Sequence, residues 1–426
     1  MPSEPTRVIV FGPGPKFKGG LANYTVSLAK ALDKLEDTEV HIFSWSQQYP
    51  AIIPRDFIDR SSKADLLEGT NVQIRYVTNY NNPFSWQRTY KEMIALKPDK
   101  IIFQWSIAIQ GLPLGYITRK LSKHKDIEVL FDLHFVIQKE KSTIDTRFTK
   151  YGISKADTYI THAYKTATEL KEIFPKTSFE INETGVRAGD NKKTIIKLYH
   201  PVYDMFQPDP VFDKEQQKKQ LNLKTNVFLF FGFIRKYKGL HHVIRAFAEV
   251  AKVRNDVSLL IVGESFWKTL DTSKFSTKLK TALFKVLNKI MVKKGDSEID
   301  YNPLALIDEL GLQDNVRVFN DYVPNEDVHK YFQVSNCIML YYEYATPSGV
   351  ESIGYNFKVP MLATNVGHFP ETVKDGFNGY LAEPNDIRSM ADTMLKFLEH
   401  PIPVENVAAT AKEMNWKNYA EKAIGR

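Results

Sequence analysis

Cysteine is nearly absent from this chain. Cys337 is the only one, which excludes an intramolecular disulfide and any metal site built from several thiolates. It stands in the apolar run Cys337-Ile338-Met339-Leu340 and reads as a small buried hydrophobe. No uninterrupted apolar run approaches the roughly 18 residues needed to cross a bilayer. No Gly-Lys-Ser/Thr triplet occurs, so the signature of a P-loop nucleotide triphosphatase is missing. The loop Gly12-Pro13-Gly14-Pro15-Lys16-Phe17 puts phenylalanine where a dinucleotide fingerprint needs its third glycine, which counts against a dehydrogenase. There is no Asp-X-Asp pair of the kind that holds a catalytic metal, and no metal or cofactor is expected. The N-terminus runs almost directly into a strand, so no signal peptide is expected and the chain is placed in the cytoplasm.

What is present is an ordinary globular composition, 43% hydrophobic and 25% charged, in 426 residues. That length exceeds what one core usually serves and predicts two domains. The net charge of +7 suits phosphate-bearing ligands, nucleic acid or an anionic membrane without choosing among them. The basic residues are scattered and no aromatic-rich recognition motif stands out, so nucleic acid is not expected as a partner.

Short β-rich runs alternate with helix-period segments throughout, the pattern of parallel sheets wrapped by helices. Expected strands in the first half are 7–12, 39–45, 72–77, 100–105, 128–134, 158–162 and 195–199, with a helix over 21–35. A proline- and charge-rich stretch, 203–218, reads as a linker. The second series has strands at 227–233, 258–263, 316–319, 337–342 and 361–364, and helices at 240–254, 386–399 and 404–423. The expected domains are 1–205, completed by the C-terminal helix 404–426, and 206–403. Open parallel sheets bind ligands beyond the carboxyl ends of their strands.

Five segments carry chemistry. In Phe231-Gly232-Phe233-Ile234-Arg235-Lys236-Tyr237-Lys238-Gly239-Leu240 a strand runs into a turn with Arg235 and Lys238, and a helix follows. Arginine can grip a phosphate through two N–H groups, lysine adds a point charge, and a helix start offers free amides. A solvated basic turn is the other reading. In Leu340–Glu351, Ser348-Gly349-Val350 forms a small-residue turn whose backbone N–H groups could cradle a diphosphate. Glu343 and Glu351 bracket it, and carboxylates there can accept paired sugar hydroxyls. The N-terminal loop ends in Gly19-Gly20, before the first helix. His134 closes a strand, with Glu140 six residues on; a structural and a functional histidine are both open readings. Finally, 274–294 alternates apolar residues at helical spacing with lysines 274, 278, 280, 285, 289, 293 and 294. Such a helix either packs its apolar stripe on its own domain or lies on an anionic membrane surface.

Together these segments resemble the family 4 retaining glycosyltransferases, whose GT-B fold has two facing Rossmann-like domains with parallel sheets and an interdomain cleft. The resemblance implies transfer of a sugar from a nucleoside diphosphate sugar to a hydroxyl acceptor, with retention. Arg235 and Lys238 match the family's phosphate-binding cations, although arginine follows Gly232 by three places where one is common. Gly19-Gly20 matches the paired glycines near donor phosphate, and His134 a histidine near the transferred sugar. Tyr322-Val323-Pro324 with Glu326 matches the turn lining the nucleobase. Gly367, Pro370-Glu371, Asp375-Gly376 and Asn378-Gly379 match the run after the last large strand, and Trp416 the C-terminal helix.

The family's glutamate pair has the spacing of Glu343 and Glu351, but Glu351 precedes Pro360 by nine positions rather than the usual seven. Aligned on that proline, Ala345 and Ile353 occupy the two sites. A subgroup with Ala-Thr-X-Ser-Gly-Val resembles Ala345–Val350 and lacks the first glutamate. The resemblance therefore implies a phosphate cradle at Ser348, Gly349 and Val350, a ribose acceptor in Glu351 and a sugar contact in Glu343. It also implies a glycan or lipid-linked acceptor and a role in cell-envelope polysaccharide or glycolipid assembly, with 274–294 offering peripheral contact to the membrane's cytoplasmic face. A noncatalytic nucleotide-sugar or glycan-binding protein of the same fold, or a GT-B epimerase or phosphorylase, are the alternatives.

Overall fold

The computed structural model describes residues 4–50, 57–60, 62, 65–136, 143–265, 301–347 and 349–426. The expected amphipathic segment 274–294, Glu140 and Ser348 lie outside the described residues. The chain divides into two compact units. One holds most residues up to Pro201 together with Met414–Arg426; the other holds Val202–Glu413. The first unit thus closes at Pro201 rather than at residue 205.

Among the described residues of the first unit eight strands form one sheet: β1 Thr6–Phe11, β2 Thr38–Gln47, β3 Gln73–Asn79, β4 Lys100–Trp105, β5 Glu128–Leu133, β6 Thr158–Thr161, β7 Phe179–Asn182 and β8 Lys193–Lys197. Their spatial order is β3-β2-β1-β4-β5-β6-β8-β7, and every neighbouring pair is parallel. Strands covered on both faces read as continuous apolar runs, as in the Val8–Phe11 and Ile101–Phe103 segments. Phe103 stacks on Phe131 at 5.2 Å and Phe11 meets the edge of Trp45 at 5.0 Å in the core. Each such fully buried aromatic contributes roughly 1.5–3 kcal/mol by leaving water. Strand β7 was not anticipated: Phe179–Asn182 is only half-buried at the sheet edge, so its apolar signal is weak.

Among the described residues the second unit carries six strands: β9 Asn226–Phe231, β10 Val257–Val262, β11 Val316–Phe319, β12 Cys337–Leu340, β13 Met361–Thr364 and β14 Gly379–Ala382. Their order is β11-β10-β9-β12-β13-β14, again all parallel. Helix Leu240–Val253 buries Leu240, Val243, Ile244, Phe247 and Val250, a stripe at helical spacing that packs onto the sheet. Cys337 is buried in β12, and burial pushes its thiol well above the ordinary value.

Two boundaries differ from expectation. The stretch expected as linker contains helix Lys214–Gln220, started by the Asp213 side chain accepting from the Gln216 N–H. The single C-terminal helix is two, Val404–Glu413 and Trp416–Ile424. Asn415 caps the second by accepting from the Asn418 N–H, and only this helix belongs to the first unit.

The strand order reverses between β1 and β4 in the first unit, which also turns back at its β8-β7 edge, and between β9 and β12 in the second. The carboxyl ends at these switch points are where open α/β sheets place ligands. The Gly12–Gly20 loop leaves β1, and the Gly232–Gly239 turn leaves β9.

Candidate functional site

In the second unit, β9 ends at Phe231 and the chain turns through Gly232, at φ +94°. Nothing larger than glycine fits there without loss: a Cβ would lie 3.0 Å from the Lys238 Nζ and 3.2 Å from Val350. The turn therefore folds Lys238 back over its own start. Lys238 is buried at 7% exposure, with its ammonium 5.8 Å from the Tyr342 ring centre. Arg235 leads a single 3₁₀ turn, Lys236–Lys238, and its guanidinium lies 5.3 Å from the Tyr237 ring centre. Gly239, at φ +63°, then starts helix Leu240–Val253. A Cβ on Gly239 would collide with the Tyr341 carbonyl oxygen, so only glycine lets the helix begin against β12.

On β12's side of the switch point, the chain passes Tyr341, Tyr342 and Glu343 before helix Gly349–Asn356. The Glu343 N–H donates to the Tyr237 carbonyl at 2.8 Å, which ties the two loops together. Gly349 and Val350 open the helix, so their amides are among those without intrahelical partners. Tyr322 and Val323 follow β11 and are half-buried.

The two glutamates have different surroundings. Glu343 is half-buried, its Oε1 3.5 Å from the His241 Nε2 and 3.6 Å from the His242 Nε2. Glu351 is buried, and its Oε2 meets the His368 Nε2 at 2.5 Å. The other carboxylate oxygen, Oε1, is buried with no protein partner, as is the His368 Nδ1. A buried carboxylate oxygen is an acceptor that calls for a donor. His368 was not anticipated, although it lies next to Gly367 in the run already singled out.

In the first unit the residues converge on His134. Side chains on a strand alternate faces, so Asp132 and His134 at the end of β5 share one face. Gln104 on β4 lies opposite Asp132 in register, and His162 follows β6 on the next strand. All four polar groups meet as a result. Asp132 is fully buried; its Oδ1 accepts from His162 Nε2 at 2.8 Å, and its Oδ2 accepts from Gln104 at 3.2 Å and from the Tyr419 hydroxyl at 3.0 Å. Burial alone would raise this carboxyl, but the His162 and His134 imidazoles and its hydrogen bonds hold it far below the usual carboxylate range.

Because an ionised carboxylate only accepts, the Gln104 NH₂ must face Asp132, and its Oε1 must face His134, 2.7 Å away. His134 Nε2 therefore carries the proton. Burial, with the neighbouring His162 adding to it against Asp132, pushes the His134 pKa down to about 4. The ring is neutral at pH 7, with its lone pair on Nδ1. Tyr24, from helix Gly20–Asp33, packs its ring at 4.7 Å from His134, 4.9 Å from His200 and 5.0 Å from Trp416. Gly19, at φ +103°, precedes that helix, and Gly20 is exposed at its start. Gln104, Asp132, His162 and Tyr419 were not singled out from sequence. A readable signal existed for two of them: polar residues near the end of otherwise apolar strands, at the same pleat parity as His134.

Comparison with known proteins agrees with this architecture. Residues 211–422 match the family described as Glycosyl transferases group 1. N-acetyl-alpha-D-glucosaminyl L-malate synthase of Bacillus anthracis is 23% identical over 248 residues, 57% of this chain and 54% of that protein. The chain thus spans about half the length of the curated relatives it matches. Among solved structures, a glycosyltransferase from Rickettsia africae superposes with a TM-score of 0.64 at 14% identity, covering 99% of this chain and 98% of that one. Anabaena HepE in complex with UDP-glucose gives 0.61 at 16% identity, covering 98% and 95%. The chain thus has the two Rossmann-like α/β units of the GT-B glycosyltransferases and carries a Glycosyl transferases group 1 domain over residues 211–422.

Proposed function

We propose that the protein transfers a hexosyl group from a nucleoside diphosphate sugar to a hydroxyl acceptor, with retention of anomeric configuration. The observation that carries this reading is the turn at the second unit's switch point, where Gly232 lets the buried Lys238 fold back beside it and Arg235 stands three residues away. A guanidinium and an ammonium held in one turn at the carboxyl end of a strand are the groups that stabilise charge growing on a diphosphate leaving group. The relatives' names support the same class of reaction, and the HepE structure holds UDP-glucose.

In this reading the bond between the sugar's C1 and the diphosphate oxygen breaks as the acceptor oxygen bonds C1. Arg235, Lys238 and the amides that open the helix at Gly349-Val350 meet the charge growing on the diphosphate, so this step uses no metal. Ser348, their neighbour in sequence, is proposed to contribute to the same cradle. The Glu351 Oε1 accepts from a ribose hydroxyl, with Oε2 held by His368. Tyr322 and Val323 line the nucleobase, Gly19-Gly20 lie at the donor phosphate, and Glu343 takes a sugar hydroxyl. His134 offers a neutral Nδ1 acceptor to the transferred sugar. A glycan or lipid-linked acceptor in envelope polysaccharide or glycolipid assembly, reached from the cytoplasmic face of the membrane, is the biological setting proposed. Among the described residues no helix is long and apolar enough to cross a membrane.

The test is turnover of UDP-, GDP- and ADP-sugars by the wild type and by Arg235→Ala and Lys238→Ala. Loss of about a hundredfold or more in kcat for each variant is expected, the scale of removing one charge-stabilising group. Unchanged turnover refutes the site. Ligand-induced thermal stabilisation without turnover on any acceptor would identify a noncatalytic binder of the same fold.

A further inference from the structure

We infer that His241, His242 and Glu343 form a binding site for one divalent transition-metal ion of the zinc class. Among the described residues, two groups of histidine and carboxylate place their ligand atoms within 4.8 Å of one another: Asp132, His134 and His162, and His241, His242 and Glu343. The first is already satisfied by hydrogen bonds, since His162 Nε2 lies 2.8 Å from Asp132 Oδ1, and an ion would have to break them.

The second has a different spacing. His241 Nε2 and His242 Nε2 lie 3.5 and 3.6 Å from the Glu343 Oε1, beyond the usual hydrogen-bond range. Ligand atoms held about 2.0–2.1 Å from a tetrahedral zinc ion are roughly 3.3–3.5 Å apart, so the two distances lie at and just beyond those of ligands around an ion. Neither buried ring nitrogen of His242 makes a hydrogen bond of ordinary geometry, and its neighbouring polar side chains are Asn385 and Glu343. The His241 Nδ1 is 2.8 Å from the Tyr301 hydroxyl, which can accept its proton and leave the lone pair on Nε2, the outer support that ligating histidines commonly have. The two ring centres lie 3.9 Å apart with their planes tilted by 40°, so both rings crowd the same carboxylate. Two imidazoles and one carboxylate suit zinc, cobalt or nickel better than magnesium or calcium, and leave a coordination position for water.

The ion is distinct from the proposed diphosphate grip of Arg235 and Lys238. Its effect on transfer does rest on the proposed function: an ion held by Glu343 takes that carboxylate away from the sugar, so zinc slows transfer. Binding is therefore measured without any substrate, which keeps its failure separate from failure of the transfer reading.

Zinc is titrated calorimetrically into chelator-treated full-length wild type, His242→Ala, Glu343→Gln and, as a control, the exposed His400→Gln. One equivalent is expected for the wild type and the control, with affinity at least tenfold lower in the two site variants. Equal affinity in wild type and His242→Ala, or no uptake by the wild type, overturns the inference. A second measurement needs no variant: the wild-type melting temperature should rise with added zinc and fall back with chelator, and an unchanged melting temperature counts against the site.

Discussion

Protonation of His134 should destabilise the first unit, and the size of the effect can be worked out. Burial beside His162 holds the folded-state pKa at about 4, whereas a solvated histidine has about 6.5. Between those values the unfolded chain binds the proton and the folded chain does not, so stability rises with pH across the window. The contribution is fully present above pH 6.5 and is lost as pH falls to about 4. A gap of about 2.5 units is worth about 3 kcal/mol, with a steepest slope near 1.4 kcal/mol per pH unit. His200 is lowered in the same direction by its own burial, so the wild-type slope alone does not isolate His134.

The comparison is with His134→Asn, which keeps an N–H donor for Gln104 and removes the titration. Trp45, Trp105 and Trp416 lie buried in the first unit, so tryptophan fluorescence in urea reports its unfolding. The stability difference between wild type and variant should grow by about 3 kcal/mol in favour of the wild type from pH 4 to pH 7. Parallel curves for the two proteins would refute the reasoning, as would an NMR titration in which His134 protonates near 6.5.

Two further outcomes follow from single contacts. Gly239→Ala must put a Cβ at φ +63° against the Tyr341 carbonyl, a strain and clash of at least about 1–3 kcal/mol; a lowered melting temperature in a purified, folded protein is the expected readout. Gln104→Leu removes both the donor to Asp132 and the acceptor for His134 and should cost about 2–4 kcal/mol. It should also release the His134 tautomer, visible as a shift of its ring nitrogens in ¹⁵N NMR, whereas an unmoved spectrum means another group sets that proton.

The sequence by itself determined the class of fold and the second unit's basic turn. Apolar runs such as Val8–Phe11 and Ile101–Phe103, alternating with helix-period segments, leave little choice but parallel sheets covered by helices. Gly232, Arg235, Lys238 and Gly239 are contiguous, so one turn brings them together whatever the rest of the chain does. Local spacing also flagged Glu343 and Glu351, but it could not say what they touch. Only the tertiary structure separates them, one to His241 and His242, the other to His368 across a helix and a strand. The same holds for His134. Pleat alternation gives each strand its parity, yet which strands are neighbours is a matter of sheet order. Gln104, Asp132 and His162 are about thirty residues apart in sequence, and Tyr419 reaches Asp132 from 287 residues away. Hydrogen bonds act over about 3 Å and ignore chain distance, so this network exists only once the sheet has formed and the last helix has docked on it.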